Sequence, residues 1–180
     1  MSVVDPSRPD IIAFMAAACS ALGRPLPAPK DVFNFGGSSP TAADERLLLA
    51  VQGKKSATTS WPVPDPLYWG VGDLSVILDG RGTPRALMRT TSFVQCKFRD
   101  VEEEFALAEA EGDYEAYRAG HFEFYGQQEN GDQFGEESVV LCERFEVIYH
   151  SLEGMAEDTG SSSGQAKAGG GRQDGEASLK

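Results

Sequence analysis

Leu74-Ser75-Val76-Ile77-Leu78, then Asp79-Gly80-Arg81-Gly82, then Arg85-Ala86-Leu87-Met88-Arg89-Thr90-Thr91 is the stretch on which the reading of the fold turns. Two extended apolar runs flank a glycine-rich turn, the composition of a β-hairpin. Phe93 to Phe98 continues as strand. Val139 to Tyr149, rich in β-branched and aromatic side chains, supplies the last strong strand.

Helical signals surround these strands. Pro9-Asp10 ahead of Ile11 to Ala18 predicts a helix stopping near Gly23, and Pro25, Pro27 and Pro29 make an extended connection after it. Thr41, with Asp44 near the first-turn donors, predicts the N-terminus of a helix that runs to Gln52 and is capped by Gly53. Leu47, Leu48 and Val51 form its buried stripe. Asp100 with Glu103 predicts a helix through Ala110, and Asp113 opens another toward Tyr125. The order is helix, helix, hairpin and strand, two helices, closing strand. It predicts an α+β domain around a small, mainly antiparallel sheet able to close into a barrel.

The chain has 180 residues, 41% of them hydrophobic, enough for one domain with a real core. Its net charge of −12 is unevenly placed: residues 1–99 carry a net +3 and residues 100–146 a net −13. A basic motif in the first half can face an anionic ligand while the acidic half stays in water. Cys19, Cys96 and Cys142 show no paired spacing, which reads as a reducing interior. With His121 and His150 as the only histidines, no CxxC and no HExxH, neither a metal site nor another cofactor is implied. Ile11 to Leu22 is too short to span a bilayer, and Asp5 and Asp10 stand where a signal peptide needs positive charge. The expected location is therefore the cytosol or nucleus, without secretion or membrane insertion. Glu157 to Lys180 is Gly, Ser, Ala and charge, the composition of a disordered tail. The expected partition is an N-terminal helix and connection over 1–29, a domain over 30–150 and a low-complexity tail over 151–180.

Chemistry is concentrated in Gly53-Lys54-Lys55-Ser56-Ala57-Thr58-Thr59-Ser60. A lysine three residues before a threonine can set an amine beside a hydroxyl, the minimum for activating an oxygen nucleophile without histidine or metal. The competing reading is that Lys54 and Lys55 only complement the negative end of the preceding helix, worth about 0.3 to 1 kcal/mol each. The proline-interrupted aromatic run from Trp61 to Trp69 excludes a central strand, and its rings either stack on a base or close one end of the core.

Several motifs occur in order: Phe35-Gly36 with Ser38 and Pro40, Ala43-Asp44-Glu45, Gly53-Lys54-Lys55-Ser56-Ala57-Thr58, Val71-Gly72-Asp73, Val101-x-x-Glu104-Phe105-Ala106, Glu109-Ala110-Glu111-Gly112-Asp113, Arg118-x-x-His121 and Cys142-Glu143-Arg144-Phe145. Together they resemble the small bacterial-type branch of the ASCH (activating signal cointegrator homology) domain over roughly residues 30 to 150. The resemblance implies a PUA-like β-barrel with a cleft beside the Gly-x-Lys loop, and an association with RNA or modified nucleosides. It is also similar to a related family that hydrolyses N4-acetylcytidine through a threonine nucleophile, a lysine proton acceptor and a glutamate proton donor. By motif position those roles fall on Thr58, Lys55 and Glu111. Two departures lie near the cleft's acidic side: Tyr117 stands before Arg118 where the branch usually has tryptophan, and Ala110 between the glutamates where it usually has glycine.

Two functions therefore compete. One is amide hydrolysis of an acylated nucleoside, with main-chain N–H groups of Ser56 to Ser60 as oxyanion donors and with Thr59 and His121 lining the cleft. The other is a non-catalytic RNA- or nucleotide-binding module using Lys54, Lys55, Arg85 and the Trp61 to Trp69 loop. A ribonuclease is the less favoured third reading, because the two histidines show no paired arrangement.

Overall fold

The computed structural model describes residues 4–128 and 130–155. In chain order the elements are α1 (Pro9–Leu22), β1 (Asp31–Phe33), α2 (Pro40–Val51), β2 (Ala57–Ser60), β3 (Leu74–Leu78), β4 (Pro84–Lys97), α3 (Glu103–Ala108), α4 (Tyr114–Gly126) and β5 (Val139–His150). The strands form one sheet in the order β1-β3-β4-β5-β2. β1 runs parallel to β3 and every other pair is antiparallel, so the sheet is mixed. It curls as a PUA-like half-barrel with flanking helices, and β1 and β2 remain as its two edges.

The run Leu74 to Leu78 is continuously apolar because β3 is buried on both faces. Val76 and Leu78 pack with Ile11, Phe14 and Ala18 of α1 on one side. Ile77 packs with Leu47 and Ala50 of α2 and with Phe145 of β5 on the other. A third cluster joins α3 and α4 to β2 and β5 through Phe105, Tyr117, Phe98 and Val140. The two extended runs after the hairpin turn are one strand, β4, whose pairing with β5 shifts between Thr90 and Ser92. Such a bulge inserts one residue and keeps the ladder running through a bend.

Several local expectations are corrected. Ser39, not Thr41, caps α2: its hydroxyl accepts from Ala42 N at 3.3 Å, and Pro40 takes the first helical position, where its fixed φ fits and no N–H is needed. Asp44 instead accepts from Gly80 N at 2.8 Å, tying α2 to the β3–β4 turn. That turn lies so close that a Cβ on Gly80 would meet Pro40 O at 2.3 Å. Ala43, Leu47 and Ala50 make the buried stripe of α2, and Leu48 is exposed. Asp100 belongs to a short 3-10 turn, so α3 starts at Glu103. It ends at Ala108, because Ala110 adopts φ 56°, outside any helix. Two strands, β1 and β2, were not expected at all.

The described residues continue to 155. Ser151 N donates to Arg85 O at 2.8 Å, and Met155 packs against the α2-side core. The expected disordered tail, 157–180, lies outside the described residues. Among the described residues no helix is long and apolar enough to cross a membrane.

Candidate active site between β2 and the glutamate turn

Chain reversal at two places brings the site together. After α2, Gly53 takes φ 72°, a left-handed conformation that glycine adopts without penalty, and the N–H groups of Lys54 and Lys55 both close on Leu49 O. The turn leaves Lys54 in solvent and sends Lys55 inward, where it is 2% exposed. After α3, the left-handed Ala110 and Gly112 at φ 110° turn the chain so that Glu109 and Glu111, two apart, both reach Lys55. Two residues spaced by two cannot share a helix face, so this break is a condition of the site. Ser56 N donates to Ala108 O at 2.8 Å and holds the two turns together.

Lys55 Nζ donates to Glu109 Oε2 at 3.1 Å, to the Glu109 carbonyl at 3.2 Å and to Glu111 Oε1 at 3.4 Å, and stands 5.2 Å from the centre of the Phe35 ring. Its three protons thus have three acceptors, which is what a buried ammonium requires. Arg46 of α2 forks onto Glu111 from the other side, Nε to Oε1 at 2.9 Å and Nη2 to Oε2 at 3.0 Å. Glu109 is 1% exposed. Burial pushes its carboxyl up, but the Lys55 ammonium, His121 and the Thr59 hydroxyl outweigh that and hold it below the ordinary glutamate value.

A directed chain of hydrogen bonds ends on Glu109. Thr59 Oγ1 donates to Glu109 Oε1 at 2.5 Å, which leaves the Tyr117 hydroxyl, 2.7 Å away, to donate to Thr59. Burial, then the charge of Glu109, pushes the Tyr117 phenol well above its ordinary value, so it stays a donor. Tyr125 OH donates to Thr59 O at 2.8 Å; burial followed by Glu109 raises that phenol as well. His121 Nδ1–H donates to Tyr117 O at 2.8 Å, and Nε2 lies 3.8 Å from Glu109 Oε1.

Lys55, Thr58, Thr59, Glu111 and His121, all expected from sequence, line one cavity of about 50 Å³, together with Glu109. Phe35, Phe124 and Tyr125 form its aromatic wall. That volume holds only a few waters. A cavity of that size admits only a small group.

Other expected residues stand elsewhere. Trp61 packs edge-on against Tyr125 and Phe134. Arg85 is buried at the hairpin turn with Nε 2.8 Å from Asp79 Oδ2. Ser56 and exposed Lys54 flank the cavity without lining it, and the Ser56 N–H, spent on Ala108 O, does not face it as an oxyanion donor. Sequence reading missed Glu109, Arg46, Tyr117 and Tyr125 as site residues. The signal for the tyrosines was present: Tyr117, His121 and Tyr125 recur every four residues, one face of a helix.

The ASCH domain model matches residues 31–149. The chain belongs to the ASCH domain family. Protein EF3133 from Enterococcus faecalis, of the DUF984 family model, is similar in structure with a TM-score of 0.68 and 26% identity, over 79% of this chain and 94% of that one. An ASCH domain from Lactobacillus crispatus is similar with a TM-score of 0.59 and 26% identity, over 66% of this chain and 80% of that one. The comparison with curated proteins finds no match. In this ASCH domain the cavity sits where the Lys-x-x-Thr segment that leads into β2 meets the Glu-x-Glu turn.

Proposed function

We propose that this ASCH domain protein binds a modified nucleoside, free or in RNA, and hydrolyses the amide of an acylated exocyclic amine, as in N4-acetylcytidine. The observation that carries the reading is the meeting of Lys55, Thr58 and Glu111 in one cavity, with Lys55 Nζ 3.4 Å from Glu111 Oε1. One proton passed from Lys55 to Glu111 turns an ion pair into a free amine and a carboxylic acid, the base and the acid that the reaction needs. In water the transfer is uphill by about 8 kcal/mol, the gap between ordinary lysine and glutamate pKa values. Substrate that closes the cavity and excludes water lowers that cost, because the transfer removes two charges from a dry site.

Lys55 then accepts the Thr58 proton as Thr58 Oγ attacks the acyl carbon. Glu111 gives its proton to the departing nitrogen, releasing the free amine. Water, activated by the same pair, hydrolyses the resulting ester and restores Thr58. Glu109, held ionised, and the Thr59–Tyr117 pair fix Lys55 and β2 in place without entering the exchange.

A second reading, the non-catalytic binding module, has exposed Lys54 and the Tyr68–Trp69 aromatic pair in its favour. Its cations are not gathered, since Arg85 is spent on Asp79. Incubation with N4-acetylcytidine, followed by chromatography, tests the choice. The expected result is release of cytidine by the wild type and a loss of at least ~10³-fold in Thr58→Ala. No turnover by the wild type, or undiminished turnover by the variant, removes the mechanism.

A further inference from the structure

Glu143 is a buried carboxyl group that the mechanism above does not use. It is 3% exposed, on β5 directly opposite Thr58 of β2 in the antiparallel register. Directly opposed residues project from the same face of a sheet, with Cβ atoms about 4.5–5.5 Å apart. Phe145, two residues along that face, stacks on Phe35 of the cavity wall at 5.5 Å. The bulge after Thr90 brings that side chain onto the same face, and Thr90 Oγ1 donates to Glu143 Oε1 at 2.5 Å. The Trp69 indole N–H is a second donor to the same carboxyl group.

Its surroundings differ from those of Glu109 and Glu111 in one respect. Among the described residues the charged and titratable groups acting on it are Asp31 from β1 and Tyr68 from the aromatic loop, neither of them a cation, and the hydroxyl-bearing Thr90 of β4 and Thr58 of β2 share its face. Arg144, next in sequence, bonds Glu104 and lies over Phe105, on the opposite side of the sheet. Burial, with the charge of Asp31 added, pushes the Glu143 carboxyl up against the donations of Thr90 and Trp69. Glu143 is thus the carboxyl beside Thr58 whose surroundings most favour its protonated form.

We infer that Glu143 reads the base: its carboxyl group donates a hydrogen bond to a ring acceptor of the nucleobase whose acylated amine Thr58 attacks, with Trp69 and Tyr68 flanking that base. The inference rests on the hydrolase reading above and adds the residue that recognises the base, one with an unprotonated ring nitrogen beside its exocyclic amine. Cytosine meets that requirement. Uracil, with N–H at the same ring position, does not. A hydrogen bond to the ring nitrogen also draws off charge as the amine departs, so it strengthens in the transition state.

Tryptophan fluorescence titration with cytidine and with uridine, in the intact protein across pH 5 to 9, tests this apart from turnover. The wild type at the low end of that range should prefer cytidine by at least about tenfold, one good hydrogen bond, and lose that preference as rising pH removes the Glu143 proton. Glu143→Gln, whose amide donates at every pH, should keep the preference and lose the pH dependence. Glu143→Leu, confirmed folded by its thermal midpoint, should lose the preference. If cytidine preference depends on Glu143 but N4-acetylcytidine is never cleaved, the base reader stands and the hydrolase falls. If N4-acetylcytidine is cleaved and Glu143→Leu binds and cleaves as the wild type does, the reverse holds. Failure of cytidine to bind, or a pH dependence retained by Glu143→Gln, overturns the inference.

Discussion

Replacing Lys55 with methionine isolates what the buried ammonium does for the fold. The substitution keeps the length and apolar stem but leaves Glu109, 1% exposed, facing only His121 and Thr59. Breaking one partner of a buried pair costs about 3–5 kcal/mol. At about 2–4 °C per kcal/mol for a chain of this size, the thermal midpoint at pH 7 should fall by roughly 6–20 °C. The pH dependence fixes the cause. In the wild type Glu109 has its folded pKa below the ordinary value, so its contribution is present above about pH 4.3 and is lost as pH falls through the folded value. In Lys55→Met, burial, the largest effect, is opposed only by His121 and the Thr59 hydroxyl and should push that pKa above the unfolded one. The penalty is then largest near neutrality and is relieved as the pH drops. Melting curves at pH 7 and pH 5 should show the gap between the two proteins narrowing at pH 5, and Lys55→Met with Glu109→Leu should recover much of the loss. A gap under about 3 °C at pH 7, or one that does not change with pH, would refute the reasoning.

Thr59→Val removes the hydroxyl between Tyr117 and Glu109 and should cost about 1–3 kcal/mol in chemical denaturation, because both partners are buried. Arg46→Ala loses a partly exposed ion pair, so stability should change by less than about 1 kcal/mol, while kcat for acyl-nucleoside hydrolysis falls as Glu111 loses its anchor; a variant with unaltered kcat would remove Arg46 from the site. Arg85→Leu strands Asp79 at the hairpin turn, away from the cavity: it should lower the thermal midpoint yet leave KM for the acylated nucleoside unchanged.

The central hairpin and β5 were legible because their apolar, β-branched runs carry the sheet by themselves. β1 and β2 were not. Asp31–Phe33 is three residues long, and Ala57–Ser60 is small and polar, so neither shows a hydrophobic period, and each exists through its neighbour in the sheet. The position of Lys55 follows the same logic. Local sequence describes a lysine at a helix end, normally solvated, and only Glu109 and Glu111, more than fifty residues on, make its burial affordable. Thr58 and Glu111 were reachable by motif, Tyr117, His121 and Tyr125 by helical spacing. Glu143 was hidden in a strand pattern, where it reads with Arg144 and Glu146 as ordinary surface charge until the register sets it opposite Thr58.

The measurement closest to the central claim is capture of the acyl-enzyme. The protein is mixed with N4-acetylcytidine, quenched in acid within the first turnover, digested and mapped by mass spectrometry. The account predicts one acetyl group on the peptide that contains Thr58, located on Thr58 by fragmentation, absent from Thr58→Ala and formed in step with released cytidine. Cytidine released in a first-turnover burst with the acetyl group on another side chain, or no cytidine released at all, would contradict it.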